Sequence, residues 1–97
     1  MVDLTKLFGQ VEAARKKMEA IQKQMHQLRI EKETGAGMVK VVVNGEKKLL
    51  SIAIDKILLN DKDQIMLQDL IVSAVNLALA EADKVAQEAI QAQAMAL

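Results

Sequence analysis

Cysteine, tryptophan and tyrosine are absent from the 97 residues, and there is one phenylalanine, Phe8, and one histidine, His26. Without cysteine there is neither a disulfide framework of the kind that staples small secreted domains nor a thiolate nucleophile, so a reducing cytoplasm is the expected compartment. A lone histidine supplies no ligand set for a metal, and neither metal nor cofactor is expected. The missing Trp and Tyr remove the platforms on which readers of single strands and RNA stack bases. Charge of one sign is lacking too, since 13 Lys and Arg balance 13 Asp and Glu. That sum hides a polarity: residues 1–27 carry five Lys/Arg against three acids, 28–60 six against four, and 61–97 two against six.

Catalytic signals are equally sparse. Ser51 and Ser73 lie in no nucleophile motif such as GxSxG. Asp61 and Asp63 are acids at the start of a helix, where the macrodipole explains them. The chain is therefore read as no enzyme. The opening MVDLTKLFG has an acid at Asp3 and no apolar core, unlike a secretory signal. The most apolar run, LIVSAVNLALA over Leu70 to Ala80, is bounded by Asp69 and Glu81 and falls short of the ~20 residues that span a bilayer. A buried helix and no membrane partner are expected.

What the chain does have is periodicity, within one domain over residues 1–97. Leu4, Leu7, Val11, Ala14, Met18, Ile21, Met25 and Leu28 repeat at 3–4–3–4 spacing, the a/d pattern of a coiled-coil-like seam. A helix over 3–27 follows, with Asp3 or Thr5 as its cap. The period then drops to two around Leu28 and Ile30, at Val39, Val41 and Val43, and at Leu50, Ile52 and Ile54, which predicts three short strands within 28–54. Asn44-Gly45 marks a hairpin of the type I′ class, with a loop of two residues or of four, Asn44 to Lys47. Gly35-Ala36-Gly37 sits between the first two strands, where glycine supplies positive φ for a reversal. The glycines of phosphate-binding loops instead follow a strand and open a helix, and no GK[ST] is present. Asp55 to Asn60 reads as a loop or short turn. Asp61 with Gln64 resembles a capping box opening a second helix over 61–95.

That second helix is apolar on more than one face between Leu70 and Ala80, so it needs cover on several sides. A domain this small buries only a little over ~60% of its unfolded surface, and a second copy of the chain is the expected cover. On the first helix, Lys16 and Lys23 take f positions away from the seam, while Arg15 and Lys17 flank it at e and g. Lys6, Arg15, Lys16, Lys17 and Lys23 form the candidate face for duplex phosphates, with little bias by base. Glu12 precedes Lys16 by four and Glu19 precedes Lys23 by four, the favoured order for helix ion pairs, so a self-neutralised solvated face is the plainer reading. His26, at a b position, reads as a solvated polar residue. Met18 and Met25 lie in the seam. Methionine suits adaptable surfaces, so a dimer groove for a partner protein's helix is the alternative function, although plain dimer core explains both residues more simply.

Three blocks resemble the YbaB/EbfC nucleoid-associated proteins of bacteria. GAGMVKVVVNG is similar to that family's G-x-G-x-V-x-V-x-x-N-G, SIAIDKILLND to I-x-I-D-x-x-L-L, and MLQDLIVSAVNLALAEA to L-x-D-L-I-x-x-A-x-N-x-A. They run in order over Gly35 to Ala82, about half the chain. The resemblance implies an α+β fold: an α-β-β-β-α protomer with a long N-terminal helix, a three-stranded antiparallel sheet and a long C-terminal helix. It further implies a tight homodimer whose helical arms project like tweezers and bind double-stranded DNA, in the bacterial nucleoid. The matched residues Gly35, Gly37, Asn44, Gly45, Asp55 and Asn76 read as structural. Residues 1–97 hold no counterpart of the Gly- and Met-rich N-terminal extension or the Pro-Gly-Phe-rich C-terminal tail of many members.

Overall fold

Residues 3–95 are described by a computed structural model. Helix α1 spans Leu4–Gln27. Its start is fixed by Asp3, whose Oδ1 accepts from the Thr5 and Lys6 amides at 3.0 and 3.4 Å, satisfying two of the donors a helix N-terminus leaves unpaired. It ends where Leu28 turns extended. There the Arg29 guanidinium donates to the carbonyls of His26 and Leu28, which belong to the group of acceptors left open at a helix C-terminus.

Strands β1 (Ile30–Thr34), β2 (Val39–Val43) and β3 (Leu49–Ile54) form an antiparallel meander with β2 central. The register pairs Lys32 with Val41 and Val41 with Ile52, and on the opposite face Glu33 with Lys40 and Lys40 with Ala53. Val39, Val41 and Val43 are wholly buried on one face of β2, the outcome that period-two spacing dictates. An irregularity at Val42/Val43 shifts the register of β3, so that Val42 faces Ser51 and Val43 faces Leu49. The β1–β2 turn carries positive φ at Gly35, Ala36 and Gly37, as a reversal built on glycine requires.

Helix α2 (Gln64–Met95) lies across β1 and β2. Ala74, Ala78 and Ala82 recur every four residues on its inner face and are wholly buried. Their small side chains bring the helix close to the valines of β2. Together with Ile30 and Leu58 they form the core. β3 receives no such cover, and Leu49, Leu50 and Ile52 remain 41–45% exposed.

Three local expectations change. α2 begins at Gln64, not at residue 61, because Asp61–Asp63 form a 3-10 turn. That turn is capped by Asn60, whose Oδ1 accepts from the Lys62 and Asp63 amides, so Asp61 and Gln64 build no capping box. The Asp55–Asn60 link does hold the short turn expected there, a 3-10 turn at Lys56–Leu58 started by the Asp55 carboxylate, and it delivers Leu58 into the core. In the β2–β3 hairpin, positive φ falls on Lys47, not on Gly45. The loop closes through Lys47 N–H to Asn44 O at 3.1 Å and Asn44 N–H to Lys48 O at 3.0 Å. Gly45 serves another purpose: a Cβ there would stand 2.8–2.9 Å from Met25.

The molecule measures 73 × 18 × 16 Å, with a radius of gyration of 19.7 Å where a compact chain of this length has roughly 12–13 Å. Its accessible surface is 7331 Å², against roughly 5,500 Å² for a compact chain of this mass.

Candidate nucleic-acid interface

The elongation comes from two helices that leave the sheet at the same end. Along α1 every residue from Leu4 to Ala20 is exposed, and only Ile21 and Met25 are buried. The outer half of α2 runs beside it. Ala13, Ala14, Met18 and Ile21 of α1 face Ile90 and Ala94 of α2 across an apolar notch of about 550 Å³, with Gln10, Lys17 and Gln93 at its edge. These two helices are the arms.

All five candidate cations lie on α1, but they do not make one patch. Lys16 and Lys23 are seven residues apart and project within about 20° of each other, on the side away from the apolar seam. Lys6 and Lys17 are eleven residues apart and also align within about 20°, but on the flank toward α2, about 100° round the helix from the first pair. Lys17 accordingly edges the notch.

Arg15 is engaged differently. Its Nε donates to Glu12 Oε2 at 3.1 Å, its Nη2 meets Glu12 Oε1, and its Nη1 lies 2.5 Å from Glu19 Oε1. Both carboxylates thus go to Arg15, and the expected Glu12–Lys16 and Glu19–Lys23 pairs do not form. A planar guanidinium has five donors and can hold two carboxylates, which an ammonium on a flexible stem does less well. Among the described residues, Lys6, Lys16, Lys17 and Lys23 have no carboxylate within 4.0 Å.

His26 is not a free polar residue. Its Nδ1 lies 2.6 Å from Glu46 Oε1 in the β2–β3 hairpin. Lys47, the next residue of that hairpin, pairs with Asp83 of α2. No sequence signal pointed to these contacts, because Asn44-Gly45 announces a turn and is silent about what the turn touches.

Among the described residues no three His, Cys, Asp or Glu side chains are placed to hold a metal. Asp61–Met95 as a whole is long and apolar enough to cross a bilayer, with a mean hydropathy of 1.5 in its best window. The apolar stretch extends beyond Leu70 to Ala80 through the alanines that follow. The inner face of that helix is closed against the sheet by Ala74, Ala78 and Ala82.

A sequence model of the YbaB/EbfC DNA-binding family matches residues 1–97. A nucleoid-associated protein of Chlorobium phaeobacteroides is 47% identical over 88 residues, which cover 91% of this chain and 78% of that one. A nucleoid-associated protein of Chlorobium phaeovibrioides is 43% identical over 90 residues, covering 93% and 81%. A crystal structure of an uncharacterized protein from Helicobacter pylori matches with a TM-score of 0.73 at 26% identity, over 98% of this chain and 96% of that one.

Proposed function

The chain belongs to the YbaB/EbfC DNA-binding family, and from that premise we propose that it is a non-catalytic nucleoid-associated protein. On this reading it binds duplex DNA as a homodimer, through phosphate contacts from its helical arms, in the cytoplasmic nucleoid and apart from any membrane. The observation that carries the arm assignment is the set of lysines without carboxylate partners on α1: Lys16 with Lys23, and Lys6 with Lys17. The members of each pair stand about 10 and 16 Å apart along the axis, so each pair can hold two separate, non-adjacent phosphates of one duplex. Arg15, already held by two carboxylates, is a weaker contributor.

The homodimer is supported by what the single chain leaves bare. α2 covers two of three strands, so Leu50 and Ile52 stand open on β3, and Val72 and Leu77 stand open on opposite flanks of α2. The surplus over a compact chain of this mass, roughly 1,800 Å², is of the size that obligate homodimers remove from each partner. In a two-fold arrangement the partner's α2 fills the place beside α2 over β3. Its apolar outer residues are then buried as well.

Replacing Lys16, Lys17 and Lys23 together by Gln tests the DNA assignment. Affinity should fall for all duplex sequences and the salt slope should flatten; an unchanged affinity contradicts the assignment. The notch favours a second reading, docking of a partner protein's helix against Met18, Ile21 and Ile90. Capture of a protein from lysate that survives nuclease treatment, and is lost on Met18→Glu, would support it over DNA.

A further inference from the structure

We infer that the tip of the β2–β3 hairpin, Asn44 to Lys48, is a clamp that fixes the splay of the two arms, so that Gly45, Glu46 and Lys47 are positioning residues for the duplex without touching it. The consequence for DNA rests on the arm-binding function proposed above, whereas the clamp itself is a statement about this chain alone.

The tip is built to be rigid. Asn44 is buried, and its Oδ1 accepts from the amides of Glu46 and Lys48 at 2.9 and 3.0 Å. From this frame three groups reach the arms. The Gly45 amide donates to the Met25 carbonyl at 2.8 Å, in the last turn of α1. Glu46 meets His26 on the same turn at 2.6 Å. Lys47 meets Asp83, one residue beyond the buried Ala82 of α2. A five-residue loop therefore holds the bases of both arms.

The contacts differ in strength. The His26–Glu46 and Lys47–Asp83 contacts are both about half exposed, and such surface polar contacts are individually weak. The Gly45 contact is close and buried. A Cβ at Gly45 would lie 2.9 Å from the Cα and O of Met25, which are backbone atoms that cannot swing aside. Gly45 itself has no positive φ, so an alanine there is strained by contact and not by its own backbone. The lever is long: Leu4 lies about 25 Å beyond Ile21, and a tilt of about 10° at the base moves the tip by about 4 Å. That displacement exceeds the ~3.4 Å axial spacing of successive phosphates on one strand, and it takes one lysine pair out of register.

Because the chain has no cysteine, Gln10→Cys on α1 and Gln87→Cys on α2 provide unique sites for spin labels. Distances are read within one chain diluted into unlabelled protein, beside a duplex titration at several salt concentrations. The unaltered hairpin should give one narrow distance. Gly45→Ala should shift or broaden it by several Å and lower the salt slope by about one to two, the loss of one or two phosphate contacts, with mass and helix content retained. Lys47→Glu should produce a smaller shift that Asp83→Lys restores, which no general loss of stability would do. An unchanged distance in Gly45→Ala and in Lys47→Glu overturns the clamp. A changed distance with unchanged DNA affinity overturns the positioning role. Failure of the unaltered protein to bind DNA strikes the proposed function alone, and a shifted distance then still upholds the clamp.

Discussion

Leu4, Leu7 and Val11 repeat the spacing of Ile21 and Met25 on the same face of the same helix, yet the first three are 62%, 45% and 60% exposed and the last two only 6%. Met25 lies against Gly45 of the hairpin tip and Ile21 faces α2 one turn before it, while the others lie farther out along the arm. The spacing chooses which face is apolar; whether that face is buried depends on what stands opposite. In this molecule one end of α1 belongs to a packed core and the other extends as a surface. The same contrast recurs on α2, where Ala74, Ala78 and Ala82 close on the sheet and Val72 and Leu77 look outward.

The sharpest way to test that contrast is to remove equal groups from both ends. Leu58→Ala, in the core, should cost about 2–5 kcal/mol, whereas Leu4→Ala should change stability by no more than about 0.5 kcal/mol. Denaturant unfolding checks both, and equal losses would mean that the outer arm is covered in solution. Next in size is the outer flank of α2. Leu77→Glu places a carboxylate where the partner copy is proposed to pack, which costs far more than removing an exposed leucine. Light scattering should then report a monomer with its helices intact.

Most of the fold was legible because it rests on local repeats. The 3–4 spacing located α1 to within one residue, and the alternating valines located β2. Gly35 and Gly37 were recognised as a turn because positive φ has few other occupants. The misassignments arose where a side chain chooses between two nearby partners. Asp61 and Asn60 are both good caps in sequence, and only the chain path between Leu58 and Gln64 selects Asn60. Glu12 and Glu19 each lie within a turn of a lysine and of Arg15, and the fork of Arg15 takes both. The hairpin contacts were not legible at all, since Gly45 and Met25 are twenty residues apart and Lys47 and Asp83 thirty-six.

The cations give the smaller tests. Lys16→Gln with Lys23→Gln should reduce the salt slope of duplex binding by about two, one for each phosphate contact. Arg15→Gln should reduce it by less than one, because Glu12 and Glu19 already occupy the guanidinium. An Arg15 effect as large as that of the lysine pair would show that the carboxylates give way to DNA.

The central claim is that the exposed arms of a dimer hold duplex phosphates, and a duplex titration over a range of salt with a simultaneous light-scattering mass tests it most directly. A species of twice 10.7 kDa is expected, binding duplexes of different sequence alike with a logarithmic salt slope of about −0.9 for each phosphate engaged. A dimer that ignores duplex DNA even at low salt would contradict it.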